Sequence, residues 1–246
     1  MRPPASVPVL VLVGAAIVAA VWTGAGETAK APRSVDQVWT HPELATFKVL
    51  SIAMFPPATF EHDIEAEKLV QSEWGRAFQG AGYRWVSATS VRDLIRSGPS
   101  GDSILKVIKE SVLERGRIDS LRAPGLCARF RTDALLSVRV DQWTQVAIEP
   151  EQSGKPSTSV QLRAALVDST GRLLWRISGS ETVEGLFQEP NQSDAARSGS
   201  AGTRSTGLRG PAAAGAPPPF GDVLDRLLAR WSKLFPAKPA PADSAK

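Results

Sequence analysis

The chain has 246 residues, 42% hydrophobic and 22% charged, with 29 Lys and Arg against 25 Asp and Glu. This formal excess of +4 is scattered, and no run of Lys and Arg interleaved with aromatics occurs, which argues against a nucleic-acid-binding protein. A single cysteine, Cys127, excludes a disulfide framework, so stability must come from an ordinary hydrophobic core.

Residues 1–26 read as a targeting segment. Val7 to Trp22 carries no charged side chain, Arg2 and the amino terminus precede it, and small residues follow, with Ala25 or Gly26 as a fitting cleavage point. Two readings stand: a cleaved secretory signal, or an uncleaved anchor that reaches spanning length by including residues 23–26. Either one places the rest of the chain across a membrane, in the periplasm or cell envelope. Removing residues 1–26 leaves 28 basic and 25 acidic side chains, a net charge of +3.

Residues 27–46 are polar and contain proline, which suits a lead-in tether. The folded α/β domain is expected over 47–187. Lys48 to Phe55 is almost continuously apolar and ends at Pro56-Pro57, the pattern of a strand covered on both faces. Val70, Trp74, Ala77, Phe78 and Ala81 then recur at helical spacing, with Gly80 and Gly82 as the stop. Tyr83 to Ser87 closes a β-α-β unit. Ser90 to Asp93 resembles a capping-box start for a short helix with Leu94 and Ile95 inward.

After the turn at Ser97–Asp102, a helix is expected over Ser103–Gly116, with Ile104, Ile108, Val112 and Leu105 on its apolar side. A less regular helix follows over Ser120–Arg131. The remaining strands are Ala134–Ile148, Val160–Val167 and Arg172–Ser178, the last two joined by a tight turn at Asp168–Gly171. The fold class is therefore α/β: a three-layer sandwich whose mixed sheet begins with parallel β-α-β and ends in an antiparallel meander, with a C-terminal helix. Residues 188–218 are rich in Ser, Gly, Ala and Pro and are expected to be a disordered linker. Residues 219–236 form an amphipathic helix with Val223, Leu227, Leu228, Trp231 and Leu234 on one face, suited to pack on its own domain, on a partner or on a membrane surface. Residues 237–246 make a disordered tail.

Three stretches carry a family resemblance: Lys48–Pro56 with the helix ending at Gly82 and Tyr83; Thr132–Val140, opening on an Asp-Ala step; and Ala165–Trp175, with Asp, Gly and Trp at its marks. Together they resemble the bacterial envelope lipoproteins related to the curli secretion protein CsgG, the penicillin-binding-protein activator LpoB and the N-terminal domain of TolB. The resemblance covers roughly residues 47–187, and it implies the α/β fold and a role in binding other envelope proteins. No cysteine follows the apolar run, so the lipid-bearing cysteine that such proteins often carry is absent here, which argues against outer-membrane lipid anchoring. A ring-forming secretion channel would also need long membrane-spanning hairpins, whereas the strand 135–148 faces a short partner and carries Arg139, Asp141 and Gln145.

The densest polar cluster is Glu61, His62, Asp63, Glu65 and Glu67. A hydrolase or metal site there would need ligands on one face; charge compensation at a helix start explains the cluster better. Gly98–Ser103 matches no phosphate-loop or dinucleotide fingerprint and reads as a turn. Asp168 and Gly171 are turn residues. Trp74, Trp85, Trp143 and Trp175 read as core or half-buried packing, and Cys127 as a buried inert thiol. No residue is assigned as catalytic, cofactor-binding or metal-ligating, and no cofactor is expected. The resulting expectation is a non-enzymatic envelope protein acting as an assembly, accessory or secretion-related binding module. The alternatives are an extracytoplasmic hydrolase using the acidic cluster near His62, and a ring-forming channel component.

Overall fold

The apolar run after Lys48 forms strand β2, and everything else is arranged around it. A computed structural model describes residues 36–60, 63–149, 152–188 and 216–238. The expected targeting segment 1–26, most of the linker 188–218 and the tail from 239 onward lie outside the described residues.

In chain order the strands are β1 (Gln37–Thr40), β2 (Ser51–Met54), β3 (Ala58–Thr59), β4 (Arg84–Val86), β5 (Ala134–Val146), β6 (Ser157–Asp168) and β7 (Leu173–Glu184). The helices are α1 (Ile64–Phe78), α2 (Ala88–Arg96), α3 (Gly101–Arg115), α4 (Ala123–Phe130) and α5 (Phe220–Leu234). One sheet runs β1-β7-β6-β5-β2-β4, with β3 pairing on β5. Strands β4, β2 and β5 are mutually parallel, and β5, β6, β7 and β1 are antiparallel. The mixed sheet expected from the sequence is the one observed.

Successive residues of β2 point to opposite faces, and each face finds its own core. Ile52 and Met54 pack with Val70, Trp74 and Phe78 of α1 and Leu227 and Trp231 of α5. Ala53 and Phe55 pack with Val91 and Ile95 of α2, Ile108 and Val112 of α3, and Leu126, Cys127 and Phe130 of α4. Helices on both faces of a sheet whose strand β2 is buried along its whole length make the three-layer arrangement.

Several local expectations differ from the structure; β7 runs on to Glu184 rather than ending at Ser178, and Leu234, expected on the apolar face of the last helix, is exposed. Residues 37–40, inside the stretch read as a tether, form edge strand β1 on β7, with Val38 opposite Ile177 and Trp39 opposite Arg176. A strand whose four residues are all exposed has no alternating burial to reveal it in sequence. Helix α2 is capped by Ser87, not Ser90: the Ser87 hydroxyl accepts from the Ser90 amide at 3.2 Å. That earlier start leaves Ile95 buried but turns Leu94 to solvent. Strand β6 begins at Ser157, so the β5–β6 hairpin is longer than the alternation suggested.

Helix α5 packs on its own sheet. Val223, Leu224, Leu227, Leu228 and Trp231 are all buried, and the Trp175 indole on β7 donates to the Leu234 carbonyl at 3.1 Å. Burying side chains of this size contributes about 1.5–3 kcal/mol each before entropy is subtracted. That sum makes α5 an integral part of the domain.

Candidate functional site

The chain leaves β2 at Phe55-Pro56-Pro57, and the topology reverses there. It passes through α1 to β4 on one side of β2, then through α2, α3 and α4 to β5 on the other side. In open α/β sheets such a reversal opens a crevice beyond the carboxyl ends of the parallel strands, because flanking helices cover opposite faces and diverge. A groove of about 440 Å³ occupies that position.

Its floor is apolar: Phe55, Pro56 and Pro57 from the end of β2, Leu105, Ile108 and Val112 from α3, and Ile64 from the first turn of α1. Ile64 is 63% exposed and extends this apolar floor toward solvent. The rim is charged. Glu67 of α1 accepts from Lys109 Nζ at 2.7 Å and from the Thr59 hydroxyl at 3.2 Å. Arg96 pairs with Asp102 across the α2–α3 turn at 3.0 Å. Arg92 and Lys106 also line the groove, and among the described residues neither has an ion-pair partner, so the rim carries a net positive charge.

The described members of the acidic cluster singled out in sequence are divided by the fold. Glu61 and His62 lie outside the described residues. Asp63 is the N-cap of α1, its Oδ1 accepting from the Glu65 and Ala66 amides at 2.9 Å each. Glu65 is exposed, and Glu67 alone of the described members faces the groove. Among the described residues no three His, Cys, Asp or Glu side chains come together as a metal site. The rim cations were not recognised from sequence; the signal was Arg92 and Arg96 at i,i+4 and Lys106 and Lys109 at i,i+3, which put like charges on shared helix faces.

The remaining marked residues hold the fold. Asp133, at the Asp-Ala step, accepts through Oδ2 from the Leu50 and Ser51 amides at 3.0 and 2.9 Å and from the Ser51 hydroxyl at 2.7 Å, pinning the start of β2 to β5. Asp168 closes the β6–β7 turn by accepting from the Thr170 and Arg172 amides at 2.9 and 2.8 Å. The 98–101 turn packs α3 tightly on α2: a Cβ at Gly101 would lie 2.4 Å from the Ile95 carbonyl oxygen. Trp74 and Trp175 are buried, and Trp85 and Trp143 half-buried. Cys127 is 2% exposed, and burial pushes its thiol up to about 11, which leaves it protonated and unreactive near neutral pH.

No protein-family model matches the chain, and no curated protein sequence matches it. Among solved structures it is similar to lipoprotein GNA1162 from Neisseria meningitidis, at 22% identity and a TM-score of 0.42, over 55% of this chain and 83% of that one. It is also similar to the PelC dodecamer from Paraburkholderia phytofirmans, at 15% identity and 0.37, over 62% and 83%. A third likeness is to the LpoB C-terminal domain from Salmonella enterica, at 14% identity and 0.32, over 58% and 85%. Likenesses at these values concern the path of the backbone, and the chemistry of the groove must be read from its own residues.

Proposed function

We propose that this protein is a non-enzymatic binding module of the bacterial cell envelope, exported or tethered through residues 1–26, which holds a segment of another envelope protein in the switch-point groove. The observation that carries the reading is the combination of an apolar floor and a net-positive rim. Ile64 and Leu105 offer apolar anchorage, while Arg92 and Lys106 select a segment that carries carboxylates beside its apolar side chains. Buried apolar anchors supply affinity, and charges at the rim steer encounter and set specificity.

Glu67 suits a binding role better than proton transfer. Its Oε1 already accepts from both Lys109 Nζ and the Thr59 hydroxyl, so the carboxylate is engaged in holding the groove wall together. The hydrolase alternative depends on His62 and is tested by activity in the His62→Ala protein.

The binding reading is tested by placing a photo-crosslinking amino acid at Leu105 in the full chain within the envelope. A discrete adduct with an envelope protein that disappears in the Arg92→Glu, Lys106→Glu double variant supports it. No adduct, or one indifferent to the charge reversal, overturns it.

A further inference from the structure

A second site lies on the antiparallel half of the sheet, away from the groove. Residues opposite one another across paired strands share a face, so the register defines what this surface presents. One row reads Arg139 on β5, Arg163 on β6, Ser178 on β7 and Gln37 on β1. The adjacent row carries Arg176 on β7 opposite Trp39 on β1. Three guanidinium groups therefore stand on one face, with Arg139 and Arg163 directly opposite each other, a placement that like charges disfavour.

Asp141 relieves only part of this. Its Oδ1 accepts from Arg139 Nε at 2.5 Å, and Oδ2 lies 3.4 Å from Arg163 Nη2. Arg139 is further held by the Leu113 carbonyl at 2.6 Å and is absorbed into the fold. Arg163 is not: among the described residues its buried Nε has no hydrogen-bond partner, a costly state for a donor on a charged group. The Arg163 stem is held in place beneath the end of α3, where Gly116 leaves room for its Cδ. Arg176 is exposed and, among the described residues, has no ion-pair partner. Between these two arginines lies a pocket of about 210 Å³, lined by Gln37, Val38, Trp39, Arg163, Arg176 and Ser178, with no carboxylate in its wall among the described residues.

We propose that this pocket binds an anionic sugar, a glycan unit carrying a carboxylate or phosphate group. The oxyanion sits between Arg163 and Arg176, whose forked donors suit either group. The Trp39 indole, 37% exposed at the pocket's edge, supplies the apolar plate for the sugar ring. The Gln37 amide and Ser178 hydroxyl supply donors and acceptors for ring hydroxyls. A bare inorganic anion would use the arginines and leave Trp39 without a role.

The test is titration of the full chain, by calorimetry or ligand-observed NMR, with glucuronate, glucose 6-phosphate, glucose and inorganic phosphate. Saturable binding of glucuronate or glucose 6-phosphate, at least tenfold tighter than glucose or inorganic phosphate, is expected. Whichever anionic sugar binds more tightly identifies the source of the oxyanion. Arg176→Gln and Trp39→Ala, both at exposed positions, should each weaken that binding about tenfold or more, while Arg92→Gln in the groove leaves it unchanged. Binding of inorganic phosphate as tight as that of the anionic sugars, insensitivity to Trp39→Ala, or no binding of either anionic sugar overturns the proposal.

Discussion

Arg230, on the last helix, and Asp36, at the first described position, meet in a two-point ion pair: Nε donates to Oδ2 at 2.9 Å and Nη2 to Oδ1 at 3.2 Å. The Trp231 indole also donates to Asp36 Oδ1, at 3.1 Å. Gly179 on β7 makes room for the contact, since a Cβ there would collide with that same oxygen. Asp36 and Glu181 together raise the Arg230 pKa against the opposing effect of desolvation. One carboxylate thus ties β1, β7 and α5 together. Asp36→Ala orphans a buried indole N–H, while Arg230 keeps Glu181 and some solvent. The expected cost is about 1–3 kcal/mol, read as a lower denaturant midpoint with unchanged slope.

Trp231 is fully buried, edge-on to Trp74 at a centroid distance of 6.1 Å, and couples α5 to α1. Trp231→Ala should cost about 3–5 kcal/mol through the cavity it opens. Truncation before Pro219 should abolish cooperative thermal unfolding altogether. A truncated chain that kept its melting temperature would show that α5 belongs to a different role.

Gly171 ends the Asp168 turn with φ of +82°, and a Cβ there would lie 2.4 Å from the Ser120 carbonyl oxygen. Gly171→Ala combines left-handed backbone strain with a clash against main chain, so it should destabilise by roughly 2 kcal/mol or more. Differential scanning calorimetry should show a fall of several degrees.

Cys127 should resist thiol reagents at pH 8 in the folded protein and react fully once denatured. The sign for stability follows from the raised thiol pKa. Between the ordinary thiol value and about 11 the unfolded chain loses this proton while the native state keeps it. Stability therefore falls as pH rises through that window, and Cys127→Ala should flatten the alkaline limb of a stability profile.

Glu73 gives the acidic counterpart. Burial, then hydrogen bonding to and repulsion from Asp225 on α5, raise its carboxyl pKa against the lowering effect of Arg76. Just above the ordinary carboxylate range the native state binds more protons, so this group adds stability as pH falls through that window. Glu73→Gln should remove that contribution, measured as urea midpoints at neutral and mildly acidic pH.

Amino-acid order alone determined the elements whose pattern is periodic. The doubly buried run at Ser51–Met54, the apolar faces of α1, α3 and α5, and the turn at Asp168–Gly171 are all written in local spacing, because burial of one face imposes a period. Edge strand β1 has no such period, and the true cap of α2 depends on which of two nearby serines finds a free amide. Those were settled by tertiary contacts. The two candidate sites belong to the same class. Ile64, Arg92 and Lys106 converge only because the chain reverses direction about β2, and Trp39, Arg163 and Arg176 only because β1, β6 and β7 pair in one register. A ligand site joins side chains distant in sequence, and the energies that place them are the packing and pairing of whole elements rather than any local preference.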